Sequence, residues 1–568
     1  MGKPHARGRN RPSSVAKAED VGQPHVSVAA GTSVRARFSG RSPVVLVLLG
    51  GLLMGLTPDP VNAWPLAWIA LVPLWRVVIA PSQPRSQGSV FLLGFLWSGL
   101  YHGIALSWIT ALHPLTWMGV PWIASVAIAL FAWAFITGLG SVTFGLWAVL
   151  FKRASDRCRL NATGRILVGT ALWCALETIL SWGPLYWPSL SYTQSPHNLW
   201  ILHLGQIAGP MAVTGAIVAV NGCWAEFSLR RAQSSLTIRS LYWQPALAGL
   251  ALFIALHGIG WGLYGQPLDR DPQEPLRIGL VQGNVPTRIK LTPAGIRRAA
   301  WGYANGYRTL VEQGAEAVLT PEGAIPEIWT RAYQARSPIR QAVLEENVVL
   351  WLGTFRPAVR NSTRELTQSL ITLDDRGQVV SQYNKVKLVP LGEYIPFQAV
   401  LGRLIARLSP VSSSLLAGSP DQVFETPFGR AIIGICYESA YSELFRKQAA
   451  QGGAWIMTAS NNDPYPPRMM RQHHAQDVMR AIESDRWSVR VTNTGISGVV
   501  TPHGNTLWLS EPNQYVTHLT EIYRRQSQTL YVRWGNWLTY ALGVGAIGWG
   551  ITSLRTNTEP TGLGKNKY

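Results

Sequence analysis

Ile432-Ile433-Gly434-Ile435-Cys436-Tyr437-Glu438 reads as a short, β-branched apolar strand that ends on a thiol and runs on into a carboxylate. Such runs are buried strands of layered domains, and loops at strand ends commonly carry reactive groups. By itself a cysteine there is most often a small core residue. Two upstream runs, however, end in the same manner. Ala317-Val318-Leu319-Thr320-Pro321-Glu322 delivers a carboxylate and Tyr383-Asn384-Lys385 an amine. Around them, β-rich runs at 276–282, 348–355, 369–373, 379–383, 454–458 and 488–492 alternate with helix-like stretches at 293–314 and 467–485. The spacing predicts a sheet-and-helix α/β domain over residues 268–530.

The three end groups suffice for acyl transfer. A thiol is a poor nucleophile at its free pKa of about 8.5 and needs a base or a nearby cation. Glu322 can take the proton, and Lys385 can favour the thiolate and help the backbone N–H after Cys436 hold an oxyanion. Glu393, eight residues past the lysine, can position it or share proton transfer. The other cysteines, Cys158, Cys174 and Cys223, lie in or beside apolar runs, and no Cys/His spacing suits zinc. Neither a metal nor a cofactor is expected. His473 and His474 are expected at a helix start rather than in catalysis.

Outside this domain the 568-residue chain is apolar: 47% of residues are hydrophobic, 14% are charged, and 25 are Trp. That balance suits membrane spans with aromatic interface belts. Apolar runs lie at 43–58, 63–81, 89–110, 120–150, 166–183, 199–224 and 243–264, with an eighth at 534–554. Most approach the ~20 residues that a spanning helix needs. The net charge of +20 sits in a basic tail (1–42) and in short loops, one with Lys152, Arg153, Arg157, Arg159 and Arg165, another with Arg230, Arg231 and Arg239. This suits topology and anionic lipid better than nucleic acid. The alternate loops 57–62, 111–119 and 184–198 hold no Lys or Arg. Both termini are therefore expected in the cytoplasm, with a transmembrane domain over 43–265, residues 268–530 on the outer face, a return helix at 534–554 and a tail at 555–568. No cleavable signal pattern follows the basic tail. Glu177, within the fifth run, is either functional or a satisfied structural carboxylate. His102 is expected to be a packed or interface residue.

With these residues in order, the sequence resembles the carbon-nitrogen hydrolase (nitrilase) superfamily and, more narrowly, the apolipoprotein N-acyltransferases. The narrower likeness rests on Leu280-Val281-Gln282-Gly283-Asn284, Gly392-Glu393-Tyr394-Ile395-Pro396, Cys436-Tyr437-Glu438, Arg480-Ala481-Ile482-Glu483 and Thr492-Asn493-Thr494-Gly495-Ile496-Ser497. Ala63-Trp64-Pro65-Leu66-Ala67 and Tyr531-Val532-Arg533-Trp534-Gly535-Asn536-Trp537 also fit, so the likeness covers nearly all of 43–553. It implies an αββα sandwich on the outer face of a bacterial inner membrane, beside about eight transmembrane helices. Glu322 would be general base, Lys385 oxyanion stabiliser and Cys436 nucleophile, supported by Glu393, Tyr437 and Glu438. It also implies a phospholipid acyl donor and a diacylated lipoprotein as acceptor. The enzyme is expected as a monomer without nucleic acid. The likeness departs at Lys290-Leu291, where relatives often carry Trp, and at Asn461-Asn462-Asp463-Pro464-Tyr465, where they carry an Asn-Asp-Ala-Trp-Phe type of segment.

Other readings stay open. A membrane-anchored amidase or nitrilase would hydrolyse a C–N bond with the same triad. A transporter or scaffold would need no such set, and the spans show no inverted repeat. Spans favour lipid substrates, since each exposed CH₂ costs about 0.8 kcal/mol in water. Tyr394 to Ser419, apolar with Arg403 and Arg407, is expected to form a mobile arm on the membrane surface, using Leu401, Leu404 and Leu408.

Overall fold

The computed structural model describes residues 42–80, 85–233, 243–268, 274–358, 365–390, 392–394 and 414–558. The basic tail, Arg239, most of the expected arm with Leu401, Leu404 and Leu408, and the last ten residues lie outside the described residues.

Five described helices are long and apolar enough to cross a membrane: Gln87–Ala105, Trp122–Arg157, Ala162–Trp182, Pro210–Ala232 and Gln244–Tyr264. The runs at 43–58 and 63–81 fold as shorter apolar helices, Pro43–Gly55 and Trp64–Ile79. The latter is a 3₁₀ turn over Trp64–Trp68 followed by an α-helix over Val72–Ile79, with a proline in the first turn of each. Proline lacks the N–H that a continuous helix would need there. The run at 199–224 is likewise broken. Short turns over Leu199–Leu202 and Gly205–Ala208 end at Gly209, whose φ of +67° is reached cheaply only by glycine. The last run forms a 22-residue helix, Trp537–Thr558, packed on Ala162–Trp182. Buried Trp75, Trp97, Trp147 and Trp173 interlock with Phe144 and Phe151 at the centre of the helical region.

The C-terminal region is an α/β domain of two sheets. Its strands are β1 (Leu276–Gln282), β2 (Ala317–Leu319), β3 (Ile325–Ile328), β4 (Val349–Pro357), β5 (Glu365–Leu373), β6 (Val379–Asn384), β7 (Ser414–Leu415), β8 (Phe424–Thr426), β9 (Gly429–Ile435), β10 (Ile456–Ser460), β11 (Ser488–Thr492), β12 (Gly498–Val500), β13 (Thr506–Leu509) and β14 (Val516–Ile522). One sheet runs β14-β1-β2-β4-β5-β6, with β3 on β4 and β7 on β5. The other runs β13-β12-β11-β10-β9-β8. Strand alternation builds the layers. Ile278, Leu280, Leu319 and Trp351 face Ile433, Ile435, Trp455 and Val489 across the sandwich. Val281, Val318 and Leu350 instead meet the helices Pro293–Glu312 and Pro338–Glu346. On the far side, Ile432 and Ile456 join Phe445 of the helix Ser442–Ala450 and reach Trp108, Tyr186 and Trp187 of the membrane region. The sheet that ends in Cys436 is thus the one that meets the apolar helical region.

Candidate active site

Parallel pairing sets the reactive ends. β1, β2 and β4 are parallel neighbours, as are β9, β10 and β11, so the ends of β2 and β9 open toward one rim of the sandwich. There Lys385 Nζ lies 2.8 Å from Glu322 Oε1 and 2.5 Å from Glu393 Oε1. Lys385 is fully buried and Glu322 is 7% exposed. Burial alone would pull the ammonium pKa down, but the two carboxylates outweigh it and hold it well above the usual lysine value. Glu393 is raised, first by burial and less so by Glu322, with Lys385 opposing. Its second oxygen accepts from the Val389 N–H at 2.9 Å, closing the loop that carries it back on the lysine.

Cys436 joins this cluster by way of the segment after β10. Its Sγ lies 3.8 Å from the carbonyl of Asn461, whose own N–H donates to Glu322 Oε2 at 3.0 Å. Burial, then the Glu322 and Glu393 carboxylates, push the Cys436 thiol up to about 12, with Lys385 opposing. The resting group is therefore a protonated thiol that needs a base in the reaction. Its backbone sits at φ +53°, in the left-handed region that β-carbon-bearing residues seldom adopt.

That conformation is held from several sides. Glu438 Oε2 accepts from Ile435 N–H at 2.7 Å and from Tyr383 O–H at 3.2 Å, while Oε1 accepts from the N–H groups of Val386 at 2.5 Å and Lys387 at 3.0 Å. One buried carboxylate thus ties the cysteine loop to the lysine loop. Burial raises its pKa to about 7 against the pull of those N–H groups. Arg480 donates to Ser439 O at 2.8 Å and to Tyr192 O–H at 3.0 Å, and pairs with Glu483 at 2.6 Å. Tyr437 O–H lies 2.9 Å from Pro184 O and 3.0 Å from Tyr186 O, and its ring is parallel to that of Trp187. It docks the cysteine loop on the membrane region.

The structure therefore brings Glu322, Lys385, Cys436, Glu393 and Glu438 together, and turns Tyr437 toward the helices. Sequence reasoning missed His473. It lies within the helix Pro467–Ser484 rather than at its start, and is fully buried. Its Nε2 donates to Cys436 O at 2.8 Å, and its Nδ1 accepts from Asn462 Nδ2 at 3.1 Å. Burial, reinforced by Arg490, lowers its pKa to about 3, which keeps the ring neutral, and the carbonyl partner requires the proton on Nε2. No spacing rule announces it, because its partner is a backbone carbonyl. Asn493 and Asn284 explain two of the sequence motifs. Asn284 N–H donates to Asn493 O, and the Asn493 amide joins Val285 to Asn461 Oδ1. Glu177 is buried and accepts from Trp173, Tyr186, Ser189, Leu190 and Thr214, the structural alternative for that residue. His102 is packed within its helix against Tyr101 and Phe144.

Two family models match the chain: apolipoprotein N-acyltransferase N-terminal domain over residues 50–223, and carbon-nitrogen hydrolase over 277–519. A curated apolipoprotein N-acyltransferase of Nostoc sp. is 51% identical over 88% of this chain and 97% of its own length. That of Synechocystis sp. is 44% identical over 87% and 98%. A solved amidase from Nesterenkonia sp. aligns at 17% identity over 47% of this chain and 96% of its own, with a TM-score of 0.35, too loose a likeness to bear on the reaction. By identity and by coverage of both halves, the chain belongs to the apolipoprotein N-acyltransferase family.

Proposed function

We propose that this enzyme moves a fatty acyl chain from a phospholipid, through a thioester on Cys436, to the N-terminal amine of the diacylglyceryl-cysteine of a lipoprotein, a step of lipoprotein maturation. The observation that carries the reading is the meeting of Glu322, Lys385 and Cys436 in a buried cluster seated against apolar helices. Relatives matching most of the chain carry the corresponding name.

In this reading Cys436 Sγ attacks the ester carbonyl carbon while Glu322 takes the thiol proton. Lys385, charged throughout, and the N–H following Cys436 hold the oxyanion. The lysophospholipid oxygen leaves with the proton from Glu322. The acceptor amine then attacks the thioester carbon, Glu322 carries a proton from nitrogen to sulfur, and the thiol is restored. Glu393 holds the ammonium of Lys385 in place, Glu438 fixes the two loops, and Tyr437 anchors them to the membrane region. The chemistry draws on no metal or cofactor.

The organisation that goes with it is a membrane region over 43–265 with seven spans, a catalytic domain over 268–530, a return helix over 534–554 and cytoplasmic tails. It is supported by charge placement. Lys- and Arg-free segments touch the catalytic domain, as where Gln472 donates to Asp59 O and Tyr437 to Pro184 O. Arg165 of one basic loop pairs at 2.5 Å with Glu226, four residues before Arg230 of the next. The positive-inside rule then puts catalysis on the periplasmic face of a bacterial inner membrane. The protein acts as a monomer.

The rival is hydrolysis, in which water takes the acyl group. Purified enzyme incubated with phospholipid should hold a Cys436 thioester that persists until an amine acceptor is added, and Cys436→Ser should abolish transfer. Rapid release of free fatty acid without acceptor would favour the amidase reading.

A further inference from the structure

A second amine lies in this cluster, and the steps above do not use it. Lys290 closes the short helix Thr287–Lys290 that follows β1, and it is only 7% exposed. Its Nζ donates to the carbonyl oxygen of Glu322 at 3.1 Å. The space it fills is left by Gly323, whose φ is +55° and where an added Cβ would stand 3.4 Å from that Nζ. As a neutral amine, Lys290 has two N–H donors and one lone pair; one N–H goes to this carbonyl, the one acceptor found for it among the described residues, and the lone pair is left to take a proton.

The helix is pinned to the same segment that holds the nucleophile. Thr287 N–H donates to Asp463 Oδ2 at 2.8 Å, and Asn461, two residues before, contacts both Cys436 Sγ and Glu322. The charged and titratable groups acting on Lys290 are Glu322 from the end of β2, Asp463 from the loop after β10 and Cys436 from the end of β9.

Proton accounting leaves a task for it. An N-terminal amine has a pKa of about 7.7–8.0 and arrives largely as ammonium at neutral pH. Amide formation from an ammonium and a thioester yields amide, thiol and one surplus proton. Glu322 shuttles one proton from nitrogen to sulfur and is left unchanged, so the surplus must go to another base.

Building on the acyltransfer reading, we propose that Lys290 is the base that takes this proton from the incoming lipoprotein ammonium, so that a free amine attacks the Cys436 thioester. The N–H bond of the acceptor breaks, its electron pair stays on nitrogen, and the lysine amine becomes an ammonium that later loses its proton to solvent. Burial brings the Lys290 pKa down to about 8, with Glu322, Asp463 and Cys436 opposing, which matches it to the group it deprotonates.

The test uses the full-length enzyme in detergent, charged with phospholipid and then mixed with a synthetic peptide bearing an N-terminal diacylglyceryl-cysteine. Acyl-enzyme formation and single-turnover transfer are followed separately from about pH 6 to about pH 10. In Lys290→Met and Lys290→Arg the defect should fall on transfer rather than on acyl-enzyme formation. Transfer should be slowed about tenfold or more near pH 7. The gap should close above about pH 8, where the acceptor supplies its own free amine. Wild-type transfer by Lys290→Arg would mean that positive charge alone matters, and would overturn the proposal. So would a deficit that does not change with pH, or loss of acyl-enzyme formation in both variants, each of which marks a structural lysine. Failure of the wild type to acylate Cys436 would instead overturn the underlying acyltransfer reading.

Discussion

His473 donates from Nε2 to the carbonyl oxygen of Cys436 at 2.8 Å, so a neutral imidazole on a separate helix holds the backbone of Cys436 in its left-handed conformation. Replacing it with leucine strands a buried carbonyl and the Asn462 amide. Each such orphan costs about 1–3 kcal/mol. His473→Leu should lower the melting temperature and slow acyl-enzyme formation about tenfold or more. His473→Gln, which keeps a donor, should recover part of both, as thermal unfolding and the rate of acylation would show.

Lys385 stands between two buried carboxylates, and its removal leaves like charges facing each other. Breaking a buried pair in this way costs about 3–5 kcal/mol. Lys385→Met should form no acyl-enzyme. It should also unfold with an altered pH dependence, because Glu393, already raised in the native enzyme, loses the cation that restrains it. A carboxyl whose folded pKa is raised contributes stability that is fully present below its unfolded value of about 4.3 and is lost as pH rises through the folded value. The variant should therefore gain stability relative to wild type on acidification from neutrality toward pH about 4. Melting curves across that window check the sign.

The thiol of Cys436 is held protonated, with a pKa pushed up to about 12. Its alkylation by iodoacetamide should therefore keep rising with pH, about tenfold per unit, beyond the pH of about 8.5 at which a free thiol levels off. A plateau near that point would contradict the burial and carboxylate effects described for the resting site.

Glu177 gathers donors from its own helix, from the 186–190 segment and from Thr214. Glu177→Ala should cost about 2–4 kcal/mol through the stranded donors. Its effect on turnover should follow the folded fraction, since the hydrogen bonds of the carboxylate go to Trp173, Tyr186, Ser189, Leu190 and Thr214 and to none of Glu322, Lys385 or Cys436. Comparing specific activity per folded molecule with the melting temperature tests this.

Much of this architecture is legible in sequence. The strand ends at Glu322, Lys385 and Cys436 were marked by apolar runs of strand length. The helices expected at 293–314 and 467–485 occupy Pro293–Glu312 and Pro467–Ser484. Hydropathy shows where apolar residues fall but not where the backbone breaks, which is why the runs at 63–81 and 199–224 looked continuous. Tyr437 was legible as part of a motif, while its hold on Pro184 and Tyr186 depends on a contact across some 250 residues of chain. Lys290 was visible only as a departure from relatives. Its burial follows from Gly323 and from the fold that brings β1 beside β2.

Acyl transfer through Cys436 requires a covalent intermediate. Mass spectrometry of the full-length enzyme after incubation with phospholipid should find a fatty-acyl mass on the peptide bearing Cys436, absent in Cys436→Ser and removed when the diacylated lipoprotein peptide is added, with the same mass gained by its amine. No acyl mass on Cys436, or an acyl group on a different residue that still reaches the acceptor, would contradict it.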